Sequence, residues 1–430
     1  MLPLLIGSLA ALGCLVGAFV CLRRKRLIDD LPTSKTQGVF IGMSELKGSA
    51  ESETPLTSYL GGIRCVWYEW KVEEHWSRTV TETYTDAQGR SGVRTRTESG
   101  WTVVASGGDN PPFYLKDDTG VIRIMPEGAD IHGVSTFDRT CGSGDPLYFA
   151  KGPLFAVANS THQRRFKESA LPLHAMLYVM GQARERKDVV AAEIARDKGD
   201  PLFVISTKTE RQISSAYVWW IWLWLILGLL VTIGGAFVSR AMSTVETGVS
   251  WQPFVLAIGV YLIALAVGWT WTVYNSLITL RNRVNQAWSQ VDIQLKRRAD
   301  LIPNLVKCVE GYSSHEKAVQ EMVAELRNQS MGSTRGGTLK GYSHTLLAVA
   351  ERYPALKADK SFLALQKSLA DTEGRIALAR GYFNDIVTFY NTRLEVIPDR
   401  FVGRMARLFR QNLIQATDLE RSPVEVHLAS

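Results

Sequence analysis

Cysteine is scarce in this chain, and each cysteine stands apart from the others. Five occur in 430 residues: Cys14, Cys21, Cys65, Cys141 and Cys308. Cys14 and Cys21 sit in an apolar segment, the other three are far apart, and no C-x-x-C pair occurs. This argues against a disulfide framework and against a cysteine zinc site, and the polar regions suit a reducing compartment. The seven histidines are scattered, none at metal-ligand spacing from another. His315-Glu316 starts like the H-E-x-x-H of a zinc protease, but Val319 stands where the second histidine belongs. There is no G-x-S-x-G elbow for a serine nucleophile. Cys141-Gly142-Ser143-Gly144-Asp145-Pro146 is glycine-rich, yet it lacks the lysine and the strand-to-helix setting of a phosphate loop, and it reads as a turn. The expectation is therefore no enzyme, with no catalytic residues, cofactor or metal. The net charge of +7 is modest, its placement matters more than its total, and no nucleic-acid partner is expected.

Long apolar runs, by contrast, are plentiful. Residues 2–22, 217–238 and 253–273 carry no charge, and a bilayer takes about 20 apolar residues to cross. The first run could be a signal peptide. However, it lacks a basic leader, and its charges, Arg23, Arg24, Lys25 and Arg26, come after it. We therefore read it as a retained span. Lys and Arg flanks set orientation, because cytoplasmic loops hold the excess. The bases at 23–26, Lys208 and Arg211 before the second run, and Arg281 and Arg283 after the third all point inward. The loop 239–252 carries Arg240 as its only base. The expectation is a multi-pass protein with its N-terminus outside and with residues 23–216 and 274–430 in the cytoplasm. Trp219, Trp220, Trp222, Trp224, Trp251, Trp269 and Trp271 lie near the ends of these runs, where indoles favour the interface.

Residues 27–212 read as β-rich. Cys65 to Val72 is aromatic and β-branched, as strands are. Phe113–Lys116 and Val121–Ile124 flank Asp117-Asp118-Thr119-Gly120, a hairpin with turn chemistry in place. Residues 79–85 and 93–99 form a polar, threonine-rich hairpin with little to bury, either a solvated arm or a contact between protomers. Thr54-Pro55-Leu56-Thr57-Ser58, Cys65-Val66-Trp67-Tyr68, Phe113 to Gly120, and Pro126-Glu127-Gly128-Ala129 resemble the GIDE, or BAM, module of membrane-anchored ubiquitin ligases and their bacterial relatives. A weaker match is Pro201 to Ser206. In those ligases catalysis belongs to a RING domain after the last span. This chain has no Cys/His ladder there, so the resemblance does not extend to ubiquitin transfer.

From Tyr274 the third run continues into a polar helix with no glycine or proline before Pro303. Leu277, Leu280, Val284, Ala287 and Val291 recur at steps of three and four, the stripe of a helix packed on others. This helix should run to about Tyr312 and bend near Pro303. A second should start at Ser313, with Glu316 at capping-box spacing, and a third should bear Leu339, Tyr342, Leu346 and Val349. The fourth, over 360–395, is the most regular: Phe362, Leu365, Leu369, Thr372, Ile376, Ala379, Phe383, Ile386 and Tyr390 make a heptad seam. At 1.5 Å per residue it is about 54 Å long.

The segments Tyr274 to Leu277, Arg281 to Val284, Ala287 to Asp292, Gln294 to Leu305 and Gly311 to Glu316 carry a resemblance to the LemA family of bacterial membrane proteins. It continues through Glu351 to Ala358, Thr372 to Ala377, Ala379-Arg380, Tyr390-Asn391 and Pro398. The resemblance implies a cytoplasmic four-helix bundle on a membrane helix and no established enzymatic activity. Some members are linked to membrane-compartment formation, others to membrane proteolysis or stress systems.

The expected fold class is thus a multidomain membrane protein of the bacterial inner membrane. A β-rich (α+β) cytoplasmic domain joins an all-α up-and-down four-helix bundle continuous with a transmembrane helix. The expected domains are 1–26, 27–212, a membrane hairpin at 213–273, the bundle at 274–398 and a tail at 399–430. Trp288, Asp292, Lys296, Arg297, Arg298, Asp300 and Asn304 are the interaction candidates. The bases there either pair across the bundle with Asp300, Glu373 or Asp385, or form a docking surface. Residues 399–414 read as a basic amphipathic helix, with Phe401, Met405, Leu408 and Phe409 on one side and Arg400, Arg404, Arg407 and Arg410 around the other. It either lies on an anionic membrane or covers the end of the bundle. The expected partners are the bilayer, further copies of the chain, and a membrane protease or other membrane protein. The functional reading is a scaffold that organises or remodels the membrane, with a protease adaptor as the alternative.

Overall fold

The computed structural model describes residues 2–85, 91–186, 188, 191–197, 202–241, 251–312 and 360–414. They divide into two compact units, Thr33–Ser215, and Met1–Pro32 together with Ala216–Ser430.

In the first unit, β-branched and aromatic runs make two sheets, and the larger one closes on itself. Strand β2 (Gly42–Glu51) pairs with β6 (Phe113–Lys116), and β6 pairs with β7 (Val121–Ile124). Strand β7 lies parallel to β12 (Ala192–Ala195), β12 pairs with β11 (Met176–Glu185), and β11 returns to β2. Strands β1 (Thr33–Ser34), β13 (Val204–Ser206) and β8 (Asp130–His132) extend this ring. Alternate side chains point inward, so Leu46, Leu115, Ile122, Leu177, Val179, Ile194 and Ile205 form one core. The β6–β7 register places Phe113 opposite Ile124 and Leu115 opposite Ile122, the hairpin expected from sequence. Its turn is tied by Asp117, whose carboxylate accepts from Thr36 N (2.8 Å), Thr36 Oγ1 (2.6 Å), Thr119 N (2.7 Å) and Gly120 N (2.9 Å). Partial burial would push this carboxyl up, but the bonds from Thr36 and Thr119 outweigh it and hold its pKa at about 2.

The second sheet is built on β4 (Arg64–Thr85), flanked by β5 (Ser91–Asp109) and β10 (Ser160–Pro172), with β9 (Val134–Gly142) outside β10 and β3 (Leu56–Thr57) at the start of β4. The glycine-rich stretch after β9 is a turn, as expected, and Asp145 caps the short helix α2 (Pro146–Ala150) through Leu147 N. Pairing of β4 with β10 stops at Trp76, while pairing with β5 continues to Thr85 opposite Ser91. The distal hairpin therefore has both faces in solvent, which explains its threonines and charges. Along one face of β4, Trp70, Trp76 and Tyr84 lie over Gly107, Gly100 and Gly92 of β5. A Cβ on any of these glycines would come within about 3 Å of the ring.

Two carboxylates are sunk in this sheet. Glu168 accepts from Leu60 N (2.6 Å), Gly61 N (3.0 Å) and Thr136 Oγ1 (2.8 Å). Glu74 receives Arg164 through Nε (3.1 Å) and Nη2 (3.0 Å), Tyr148 Oη (2.9 Å) and Ser160 Oγ (2.6 Å). Arg164 spends its remaining donors on the carbonyls of Tyr148, Pro153 and Phe155. It thereby fixes a loop that holds Leu154 and Phe155 in solvent.

In the second unit, α1 (Leu2–Asp29), α3 (Glu210–Ala241, which starts in the first unit) and α4 (Gln252–Tyr312) are each long and apolar enough to cross a membrane. They pack through Ala11, Leu15 and Tyr261, and Tyr261 Oη donates to Leu225 O (2.9 Å). Helix α4 is a single helix with Pro303 inside it. Beyond Val273 it packs on α5 (Lys360–Glu395). Most of the predicted seam is buried: Leu277, Leu280, Val284, Ala287 and Val291 from α4, and Leu369, Thr372, Ile376, Ala379, Phe383, Ile386 and Tyr390 from α5, while Leu365 is half-buried. The second and third expected helices, over 313–353, lie outside the described residues. So does the tip of the polar hairpin, residues 86–90.

Two outcomes test the β-rich unit sheet by sheet. Arg164→Met strands the buried Glu74 charge and should destabilise the second sheet by roughly 3–5 kcal/mol, seen as faster amide exchange in β10 of the full-length protein, while Arg165→Met at a partly exposed pair should change little. Because the folded pKa of Asp117 is depressed, its contribution, on the order of 2 kcal/mol, is present above pH ~4 and lost as pH falls toward 2. Asp117→Asn should remove that acid-dependent loss of exchange protection in the β6–β7 hairpin.

Candidate functional site

Where α1, α4, α5 and the short helix α6 (Asp399–Met405) meet, four charged side chains alternate in sign. Arg26 falls in the last turn of α1 and Arg393 in the last turn of α5, where the helix dipole favours cations. Asp399 falls in the first turn of α6, where it favours anions. Arg26 grips Asp399 with both terminal nitrogens, at 2.9 and 3.0 Å. Arg393 donates to Asp30 at 2.8 Å and lies 3.5 Å from the other aspartate, Asp399. Ser276 of α4 donates to Asp30 at 3.1 Å. Arg26, Asp30 and Asp399 are all under a tenth exposed. Burial pushes the Asp30 carboxyl above its usual range, against the pull of Arg393, Ser276 and Arg26. Burial also opposes the charge on Arg393, but Asp30 and Asp399 outweigh it and hold that guanidinium above its usual value. With two cations and two anions the cluster is neutral, which suits a site screened from water.

This joint was missed by sequence reasoning, which treated Arg26 as an orientation flank and made nothing of Asp30, Arg393 or Asp399. The signal available was a pair of acids, Asp29-Asp30, two residues beyond a run of bases at a helix end.

The expected interaction residues fall mostly on one ridge. Trp288, Asp292, Lys296, Asp300 and Asn304 are spaced by four along α4, the row that runs along a helix surface, and all five are exposed. Trp288 meets Phe383 edge-on at 5.3 Å between ring centres. Asp292 and Lys296 are not paired with each other among the described residues. Arg297 is exposed, whereas Arg298 is buried and pairs with Glu373 of α5 at 3.4 Å. The three consecutive bases thus divide: Arg298 pairs across helices, while Lys296 and Arg297 face solvent.

The amphipathic segment differs from expectation. Helix α6 ends at Met405, and residues 408–414 are not helical. The reason lies on α5. Asn391 donates to Gln411 O (2.9 Å) and accepts from Gln411 N (3.0 Å), and Asn384 treats Ile414 the same way, at 3.0 and 2.9 Å. Seven residues of helix and three of extended chain both span about 10 Å, so the two asparagines match an extended segment. Within α6, Arg400, Phe401, Arg404 and Met405 are exposed, as is Arg407 just after it. Leu408 is half-buried and packs with Trp269 and Leu394 around Val273, Leu277 and Val402.

These features define a class: apolar helices bound through a buried ionic joint to a packed helical stalk, in a chain that also carries a β-rich unit. Residues 287–428 match the LemA family, and residues 81–238 match the GIDE family, described as E3 ubiquitin ligase. The segment from Ala287 onward is of the LemA family. Protein LemA of Metamycoplasma hominis is 24% identical over 180 residues, 40% of this chain and 80% of that protein. Magnetosome protein MamQ of Magnetospirillum gryphiswaldense is 22% identical over 158 residues, 29% of this chain and 58% of its own length. Magnetosome protein MamQ 2 of Paramagnetospirillum magneticum is 20% identical over 184 residues, 35% of this chain and 68% of that protein.

Asp399→Ala leaves the Arg26 charge buried without its partner and should cost roughly 3–5 kcal/mol, measured by thermal unfolding of the full-length protein in detergent. Removing both partners, Arg26→Met with Asp399→Leu, leaves Arg393 with Asp30 as a neutral pair and should recover most of it; a double variant as unstable as the single would mean that Arg26 and Asp399 do not act as a pair.

Proposed function

We propose that this chain is a membrane-anchored, non-enzymatic scaffold that assembles with copies of itself through its helical stalk. Its three apolar helices cross the bilayer, the N-terminus lies outside, and both polar regions lie in the cytoplasm, as their basic flanks dictate. The observation that carries the reading is the exposed ridge Trp288, Asp292, Lys296, Asp300 and Asn304. Its charges alternate, so the same ridge on a second copy can meet it with opposite charges in register, in the ridge-and-groove packing of helices. Ile293 beside it is an apolar side chain that is 54% exposed. The ionic joint supports the reading because it ties the end of α1 to the stalk, so that the stalk and the anchor move as one body. From residue 274 to 312 the stalk helix runs for about 58 Å, and what binds its ridge is held away from the bilayer surface.

The ligase description of the GIDE segment does not bring ubiquitin transfer with it. After the third apolar run the sequence holds one cysteine, Cys308, and three histidines, His315, His344 and His427. That is too few to ligate the zinc ions of a RING, which take four ligands each. The relatives named as magnetosome proteins favour a role at a membrane compartment over one in catalysis.

Light scattering of the full-length protein in detergent should give more than one copy per particle, and Asp292→Lys with Lys296→Glu together should preserve assembly, while Asp292→Lys alone should weaken it. A monomer at every concentration overturns the scaffold. Crosslinking in cells from Ile293→Cys should capture the chain itself; a membrane protease as the dominant product would replace the scaffold with the adaptor reading.

A further inference from the structure

The outer edge of β5 is open. Strand β5 pairs with β4 alone, and among the described residues no main-chain group of Ser91–Val103 bonds outside that pair. Beyond Trp76 the β4–β5 ribbon has no third strand. A two-stranded ribbon is marginal by itself, and a long unpaired edge is a template for another strand. Proteins blunt such edges with lysine, proline or a bulge. Residues 91–103 hold no lysine and no proline. The one irregularity in the register with β4 falls after them, at Val104. The charges along the edge, Arg94, Arg96 and Glu98, are of both signs.

We infer that this edge joins the same edge of a second copy, antiparallel about a two-fold axis at Thr97, so that two ribbons make one four-stranded sheet. The order of side chains selects this partner. Outward main-chain groups fall on alternate residues, so the two-fold of an antiparallel self-pairing passes through a residue. Centred on Thr95, it sets Arg94 against Arg96; centred on Arg96 or Glu98, it sets that residue against itself. Like charges directly opposed are unfavourable. Centred on Thr97, it sets Arg96 of each copy against Glu98 of the other, and Val93 against Trp101, with no like pair. Glu98 already takes Arg78 of β4 at 2.7 Å. In the joined sheet it lies between that guanidinium and Arg96 of the other copy. Arg96 itself stands opposite Val80 and makes no ion pair among the described residues. On the other face Val93 is 68% exposed and Trp101 37%, and pairing lays each against the other. Trp101 is held for this contact by Arg165, 4.5 Å over its ring, and by His75, 5.0 Å between ring centres. The contact lies on the β-rich unit and is separate from the stalk ridge. A chain with two distinct self-contacts can link copies beyond a pair.

Cysteine crosslinking of the full-length protein in membranes, under mild oxidation, reads the register. Thr97→Cys brings two thiols together at the two-fold and should give a covalent dimer well above the wild-type background from the native cysteines. Thr95→Cys alone and Ser99→Cys alone each hold their thiols about 13 Å apart, beyond disulfide reach, and should stay at background. Co-expressed on differently tagged copies, these two variants should crosslink to each other. Adding R96Q to Thr97→Cys should lower the dimer yield about threefold, whereas R94Q, the same loss of charge opposite Gly100, should leave it unchanged. No dimer above background from Thr97→Cys overturns the inference, as does an equal yield from Thr95→Cys alone. An equal loss in R94Q and R96Q, or another protein as the main adduct, overturns it too. Crosslinking from Ile293→Cys but not from Thr97→Cys defeats only this contact, and the reverse defeats only the stalk ridge.

Discussion

The buried alternation of Arg26, Asp399, Arg393 and Asp30 is the constraint on which the helical unit depends. Three of the four helices that converge there, α1, α5 and α6, present an end, and helix ends carry unsatisfied polar groups and partial charge. Placing cations at two C-terminal ends and an anion at an N-terminal start satisfies the dipoles and the ion pairs together. A buried ion cluster contributes little net stability compared with apolar packing of the same volume. What it does provide is directionality: the guanidinium fork meets a carboxylate in one plane. An apolar contact between α1 and the stalk would tolerate sliding by a residue or rotation by a fraction of a turn. The joint does not, because a shift by one residue would leave charges buried without partners.

The β-rich unit applies the same logic in another setting. Its first core is apolar and closed, a ring of strands with alternating inward side chains. The second sheet is thinner, with Val72, Cys141, Tyr148 and Phe166 as its buried apolar centre. Around that small centre, Arg164 with Glu74 and the amides over Glu168 do what a larger core would otherwise do. They hold loops that apolar packing does not hold, as the exposed Leu154 and Phe155 show. The distal hairpin goes further and dispenses with burial, leaning on its long ladder and on rings laid over glycines.

Much of this was legible in the amino-acid order. The heptad seam over 360–395 predicted the buried face of α5 almost position by position, because a strict period of three and four leaves one solution for a helix against a neighbour. The Asp117 hairpin was legible because turn chemistry is local. Segment 399–414 was not, although it has a clear amphipathic pattern. There, two asparagines on α5 capture backbone groups of Gln411 and Ile414, and a tertiary hydrogen bond to an extended chain competes with a helix that is only marginal at this length. The bases at 296–298 were legible as a cluster but not as a division, since which of three neighbours turns inward depends on where α5 carries Glu373.

What the sequence alone determined is everything that depends on period and composition: the apolar helices, the strands with their polar turns, and the buried stripes of α4 and α5. What only the tertiary structure decided is the joining of distant charges. Arg26 and Asp399 are separated by 373 residues, and no local pattern marks them as partners. Periodicity reports on a residue's own helix or strand; an ion pair between ends of different helices exists only once those helices have been brought together.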